Sequence, residues 1–461
     1  MPEMEDNGMR TSRQLNRRQV LGWGAAATSV LALDACGASV PTSSSSREKV
    51  TVVVAQSGTE VPPADVHRWN AAHPRIQIQM TDLEANSSKL AAELASGTAP
   101  DIIRLYGAGE LAPYIVRGVA MDITSRLEAN NSQYPASDFE PVDSVFRFNG
   151  TVQGKGSWYG MPKDWSPDFT LWYNKDIFAK AGIPEPSSET PVSWPDLFSL
   201  AKELTGSGRF GLGYGGGNTQ LDASLLLWIM SQRRLNAWSA DHKKAKFNQS
   251  GVGEIVNEWA NQVVKPNLGP NSVNGSTIGI NPYFPKGQIA MALVGYWFSG
   301  AIRGGAYASQ KDSFATAPAP ITSGGRRISP TESATGAIIN AHTKHPDQAW
   351  QVFSYIYGKD RPQLERAQTG WGLPTFKSRW SQLPHDTTWD RALLAVAQRE
   401  LKYFGVIDYN PYVGVDAMNT AIASYINPVY SGQSSVSSAL QQLEDSINHT
   451  ITATRRSLGH D

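Results

Sequence analysis

Asp164-Trp165-Ser166-Pro167-Asp168 sets two carboxylates four residues apart around an indole and a hydroxyl. Two kinds of sugar chemistry can use such a set. Paired carboxylates can cleave a glycosidic bond; alternatively, an ionised carboxylate accepts charge-assisted bonds from hydroxyls while an aromatic face covers the ring. With 14 Trp and 16 Tyr at only 18% charged residues, the chain has many such faces; most fill cores, and a minority on a cleft wall would suit a sugar. Other catalytic signatures fail. Gly206-Ser207-Gly208-Arg209-Phe210-Gly211 spells G-x-G-x-x-G but follows a predicted helix instead of a strand, so it is not a dinucleotide loop. No H-E-x-x-H, G-x-S-x-G or phosphate-loop motif occurs. His342 and His345 stand before Pro346 with no further ligand nearby and read as exposed loop residues. The expectation is a binder without catalytic residues, cofactor or metal.

Cys36 is the single cysteine, so no internal disulfide framework exists. Ahead of it come Arg10, Arg13, Arg17 and Arg18, then a moderately apolar run from Leu21 to Leu33, too short to stay in a bilayer as a spanning helix. That order makes residues 1–35 a signal peptide. Arg17-Arg18-Gln19-Val20-Leu21 resembles the twin-arginine export motif, and Leu33-Asp34-Ala35-Cys36 resembles a lipobox, whose cysteine thiol takes a lipid. Asp34 departs from the small neutral residue usual there. Residues 36–49, with Pro41-Thr42 followed by the four serines 43–46, read as a flexible tether. The expected location is the outer face of the cytoplasmic membrane, with a lipid anchor. Lys plus Arg (41) equals Asp plus Glu (41), so no basic excess suits a nucleic acid, which is not expected as a partner.

At 461 residues the chain exceeds what one core supports. Val50-Thr51-Val52-Val53-Val54 reads as a strand buried on both faces. Ala64 to His73 follows as a helix, Ile76 to Met80 as a strand, Ser88 to Ser96 as a helix and Ile102 to Leu105 as a strand, which is the grammar of a parallel sheet with helices on its faces. Ser193-Trp194-Pro195-Asp196 opens a further helix as a capping box. Gly253 to Val264, Pro346 to Tyr357 and Ser435 to Ile447 read as helices, Gln288 to Val294 as a strand, and Glu332-Ser333-Ala334-Thr335-Gly336 as a strand near the cleft. Ligands of open α/β sheets sit beyond the carboxyl ends of strands. That rule selects Gln56, Ser57, Gly58 and Glu60 after the first strand, Tyr106, Gly107 and Glu110 after the third, and the loop holding Asp164, Trp165 and Asp168. Trp371 stands on a glycine-flexed turn, and Tyr409, Asn410 and Tyr412 lie in a loop before the C-terminal helices; all four are candidates for the cleft wall.

In order along the chain come Trp69-Asn70-Ala71-Ala72-His73-Pro74, Gly97-Thr98-Ala99-Pro100-Asp101-Ile102, Tyr159-Gly160-Met161-Pro162, Leu171-Trp172-Tyr173-Asn174-Lys175-Asp176-Ile177-Phe178, Ser193-Trp194-Pro195-Asp196-Leu197, Gly287-Gln288-Ile289-Ala290-Met291 with Gly295-Tyr296-Trp297, and His345-Pro346-Asp347-Gln348-Ala349-Trp350. This series, from Val50 to about Lys377, resembles the carbohydrate-binding group of ABC-importer solute-binding proteins, the group that includes maltose-binding protein. The resemblance implies a two-lobed α/β fold of the periplasmic-binding class II type, each lobe a mainly parallel sheet flanked by helices. Lobe 1 would hold 50–165 and 336–385, and lobe 2 would hold 166–335 and 386–461. A carbohydrate would be enclosed between them by hinge closure and passed to the permease of an importer; a monomer is expected. The resemblance also puts a crossing between lobes at Asp164–Asp168 and a sugar-stacking aromatic at Trp297. Alternatives are the same fold with a polyol, glycerophosphodiester or peptide, and a secreted glycoside hydrolase or lyase. The cleft loops carry no arginine cluster, which disfavours a phosphate.

Overall fold

The structure, a computed structural model, describes residues 49–459 except 57–59, 83–87, 207, 216–217 and 277. Cys36, the arginine pair and the tether therefore lie outside the described residues, as do Ser57 and Gly58. The β-branched run forms the strand Val50–Ala55, paired in parallel with Ile76–Thr81 (Val50 opposite Ile76) and with Ile102–Tyr106 (Val54 opposite Ile102). The helix Pro63–Ala72 opens on a proline, which sits without strain at the first helical position. It ends where Trp69 and Asn70 reach the next strand. The indole Nε1 donates to the Ile76 carbonyl at 2.8 Å, and the Asn70 amide brackets Ile78, accepting from its N–H at 2.7 Å and donating to its carbonyl at 3.1 Å. The Asp101 carboxylate accepts from Val53 N–H at 2.8 Å and from the Thr343 hydroxyl, fixing the third strand beside the first.

The sheet is completed by two antiparallel strands, Thr335–Ile339 against Ile102–Tyr106 and Gly160–Pro162 against Thr335–Ile339. Close approach demands glycine here: a Cβ on Gly160 would stand 2.3 Å from the Ala337 carbonyl oxygen. A second, four-stranded sheet runs Phe314–Ala317, Leu171–Asn174, Ile289–Leu293, Phe210–Tyr214, antiparallel except for the last pair. The mainly parallel sheets expected are thus two mixed ones. Parallel pairing rules where helical crossovers join neighbouring strands; strands arriving from the other sheet enter in reverse. The chain leaves the first sheet at Gly160–Pro162, enters the second at Leu171–Asn174, and returns from Phe314–Ala317 to Thr335–Ile339. A short antiparallel pair, Asp164–Trp165 with Leu373–Pro374, lies on the crossing.

Local chemistry explains the motifs of the second half. Asn174 caps the helix Lys175–Ala181 by accepting from the Asp176 and Ile177 N–H groups, a contact worth about 1 kcal/mol, and Gly182 closes it in the left-handed conformation (φ 69°). Ser193 caps Trp194–Leu204, but only half of the expected box forms. Asp196 accepts from the Ser193 hydroxyl at 2.6 Å instead of from its backbone. The span expected as a helix over 253–264 is Ser250–Trp259 followed by a wider-wound turn, Ala260–Val264, and the last helix extends to Ser457. Most tryptophans are core: Trp165, Trp172, Trp194 and Trp228 are essentially inaccessible. Among the described residues no helix is long and apolar enough to cross a membrane.

Candidate functional site

A cavity of about 500 Å³ opens where strand ends of both sheets meet. Tyr106 and Thr335 bring the first sheet to it, Leu293 to Gly295 the second, and Asp164 to Asp168 the crossing between. The carboxyl-end rule for α/β sheets holds on both sides. The helix Val415–Tyr430 contributes Val415, Asp416 and Asn419 from its first turns, and the preceding loop contributes Tyr409.

Trp297 and Trp371 form one wall. Their ring centroids lie 6.2 Å apart at 33°, and Phe298 meets the Trp297 ring edge-on at 5.8 Å. Trp371 is 38% exposed and Trp297 is half-buried, so both keep an open surface. Their positions are built from behind. Trp297 N–H donates to the Ser166 hydroxyl at 2.9 Å, and the Ser299 hydroxyl donates to the Gly370 carbonyl at 2.9 Å, tying the two aromatic turns together. Gly300 allows the contact, since a Cβ there would come within 2.8 Å of Trp371 Cα. Tyr106, 41% exposed, also lines the cavity and lies beneath the Arg104 guanidinium, 4.0 Å from its ring centroid.

The acids expected in this region are held very differently. Glu60 is clamped by Arg104, with bonds of 2.8 and 3.1 Å, and accepts from the Gln56 amide at 2.6 Å. Asp164 accepts from Arg366 Nε at 2.5 Å. Glu110 accepts from Tyr106 N–H at 2.7 Å, in the first turn of the helix Gly107–Val116. Asp168, only 6% exposed, accepts through Oδ2 from the Glu332 and Ser333 N–H groups and from the Thr331 and Ser333 hydroxyls, at 2.7 to 3.0 Å. Its Oδ1 has no hydrogen-bond partner and faces Gly295, where a Cβ would stand 2.3 Å away. Burial pushes the Asp168 carboxyl up despite its four donors. Asp164 and Asp168 therefore serve different partners and are no matched acid–base pair.

Glu332 lines the cavity beside Asp168, within reach of the Tyr214 hydroxyl at 3.5 Å. The same hydroxyl donates to Asp222 at 3.2 Å, and Asp222 caps the helix Ala223–Gln232. Burial, then the charges of Asp222 and Asp168, push Glu332 up to about 8; burial raises Asp222 to about 6. Ser224 and Tyr409 close this corner with a hydroxyl–hydroxyl bond of 2.8 Å.

Of the expected site residues, Glu60, Tyr106, Glu110, Asp164, Trp165, Asp168, Trp297, Trp371 and Tyr409 meet at the cavity. Trp165 does so almost wholly buried, its Nε1 donating to the Pro374 carbonyl at 3.2 Å. Four others do not line it. The Gln56 side chain is committed to Glu60 and Tyr357. Gly107 packs on Phe146, where a Cβ would approach to 2.5 Å. Asn410 is buried, donating to the His242 carbonyl and accepting from Tyr412 N–H, and Tyr412 packs against the core beside Arg455. Sequence reasoning missed Arg104, Ser224, Asp416 and Asn419. A charge in the strand Ile102–Tyr106 was the only available signal for the first; the others sit in ordinary helical contexts.

The family model of bacterial extracellular solute-binding proteins matches residues 44–360. An uncharacterized lipoprotein of Streptomyces antibioticus is 26% identical over 67% of this chain and 66% of its own length, just under two thirds of that relative. An sn-glycerol-3-phosphate-binding periplasmic protein of Brucella abortus is 26% identical over 32% of this chain and 31% of its own length. Among solved structures, an ABC substrate-binding protein of Listeria monocytogenes in complex with cycloalternan superposes with a TM-score of 0.70 at 19% identity, over 90% of this chain and 99% of that one. A maltose/maltodextrin-binding domain of Bdellovibrio bacteriovorus bound to maltotriose gives 0.66 at 17% identity, over 87% and 99%. These superpositions show the two-lobed periplasmic-binding fold. The chain belongs to the bacterial extracellular solute-binding protein family.

Proposed function

We propose that the solute is a carbohydrate, held in the cavity between the two sheets and handed to a membrane permease for import. The observation that carries this reading is the wall made by Trp297 and Trp371, open to a cavity otherwise edged by carboxylates and hydroxyls. Indole faces match the apolar faces of pyranose rings, and the polar rim matches their hydroxyls. The assigned contacts are Trp297, Trp371 and Tyr106 for ring faces, Glu110, Asp164 and Asp168 for hydroxyls, and Trp165 and Tyr409 for shape. Lobe 1 is assigned to 50–165 and 336–385 and lobe 2 to 166–335 and 386–461, closing on the ligand. Residues 1–35 direct export by the twin-arginine route, and Cys36 carries the lipid; the lipoprotein name of the Streptomyces relative supports the second of these. The anchor keeps the binder near its importer. A glycerophosphate is disfavoured because the one guanidinium that lines the cavity among the described residues, Arg104, already holds Glu60, and Arg366 behind the wall holds Asp164. A thermal-shift screen against sugars and polyols tests the reading: a ligand bound only by the folded state raises the melting temperature. No shift with any of them would refute it, and turnover of an oligosaccharide in proportion to protein would refute binding without catalysis.

A further inference from the structure

The charge of the cavity wall is lopsided in a chain whose overall charge is zero. Glu60, Glu110, Asp164, Asp168, Glu332 and Asp416 line it, and Arg104 is the one lining cation among the described residues. Arg104 and, from behind, Arg366 offset Glu60 and Asp164. Nothing cationic does this for the corner holding Asp168 and Glu332: among the described residues neither forms an ion pair with a lysine or arginine. The groups facing that corner are Asp222 and Tyr214 from the second lobe's sheet and helix, Ser224 beside them, Tyr409 from the C-terminal loop, and Thr331 and Ser333 from the crossing. All are acidic or neutral. Asp168 Oδ1, in a side chain more than nine-tenths buried, has no partner at all.

Buried carboxyls crowded without a counter-charge are costly to ionise, and a cation placed among them removes that cost. Neutral hydroxyls do so only in part, and an anion adds to it. We propose that the solute carries a protonated primary amine on a sugar or cyclitol ring, seated against Glu332 beside the buried Asp168 while the ring faces lie on Trp297 and Trp371. This rests on the carbohydrate reading above and narrows it. An ammonium group offers three donors, enough for Glu332 and the hydroxyls of the corner, while Asp168, covered by Gly295, acts on it through space. Since burial and its acidic neighbours keep Glu332 protonated near neutrality, seating the amine expels a proton, Glu332–COOH becoming carboxylate as the ammonium docks.

The test is calorimetric titration of the purified protein with matched rings differing at one substituent: glucosamine, galactosamine, their short β-1,4 oligomers and aminocyclitols, each beside its hydroxyl and N-acetyl counterpart. The amine member should bind at least about tenfold tighter than its hydroxyl counterpart. Repeated in buffers of different ionisation enthalpy, the titration should show proton release. Glu332→Gln, isosteric and checked by its melting curve, should abolish both the preference and the release. Should that variant not fold, proton release by the unaltered protein decides. A neutral sugar bound as well as or better than its amine, or amine binding without proton release, overturns this inference and leaves the carbohydrate reading standing. If no ring of either kind binds, the carbohydrate reading falls and this one with it.

Discussion

Replacing Trp297 by alanine separates recognition from stability, because this indole is half-buried yet stands at the cavity. An indole buries roughly 150–250 Å² in all, so one face over a sugar ring covers on the order of 60 Å². At about 25 cal/mol/Å² that is about 1.5 kcal/mol, and the stacking geometry adds about 1 kcal/mol. The sum, about 2.5 kcal/mol, corresponds to a loss in affinity on the order of 70-fold. Folding stability should fall by only about 1 kcal/mol, since the ring packs on Phe298 and Trp371 alone among aromatic partners. The assay is a calorimetric Kd for a sugar found by thermal shift, with denaturant unfolding of the free protein in parallel. Trp371→Ala and the double variant complete a cycle. The two rings are neighbours at 6.2 Å, so their losses should couple instead of adding. An unchanged Kd in Trp297→Ala, with an intact fold, would remove this residue from the site and with it the basis for stacking as the mode of capture.

Trp165→Ala should behave in the opposite way, costing about 3–5 kcal/mol in chemical denaturation, because the ring is fully packed and its Nε1 bonded to Pro374. The ligand-free protein should lose thermal stability as pH rises from about 5 to 8: the folded state raises Glu332 to about 8 and Asp222 to about 6, while an unfolded chain titrates them near about 4, so the folded state binds more protons across that window. Glu332→Gln should flatten the decline in melting temperature. Cys36→Ser should move the protein from the membrane to the soluble fraction with its solute affinity unchanged; retention at the membrane would refute the lipid anchor.

Much of the fold is legible in residues that act on near neighbours. Val50–Ala55 shows itself by its β-branched run, although only Val52, Val54 and Ala55 are buried while Thr51 is exposed and Val53 half-buried, so the covering expected on both faces is complete on one; Asn174 and Gly182 mark the two ends of one helix by their caps. The antiparallel returns are not legible, because Thr335–Ile339 looks like any buried strand and its direction depends on a partner more than 220 residues away. The site divides in the same way. Loops after strands point to Glu60, Tyr106 and Glu110, and an aromatic after the strand Ile289–Leu293 points to Trp297. Nothing local indicates that Gln56 turns inward to Glu60, that Gly107 is pressed on Phe146, or that Asn410 serves a loop backbone. The corner of Asp168, Asp222, Ser224, Glu332 and Tyr409 draws on four separate stretches, each unremarkable alone, and only tertiary contact turns them into a buried acidic group.

Asp168 has a mechanical consequence as well as a chemical one. Its carboxylate grips residues 331–333 of the returning crossing, its own N–H donates to the Pro330 carbonyl at 3.1 Å, and Lys163 N–H donates to the Thr335 carbonyl at 2.6 Å. The outgoing and returning spans are thereby riveted into one double-stranded beam between the two sheets. The aromatic residues are fastened to the same beam, Trp297 through its N–H on the Ser166 hydroxyl and Tyr106 through its pairing with Thr335, so the rings are carried by the crossing itself and not by the far edge of either sheet.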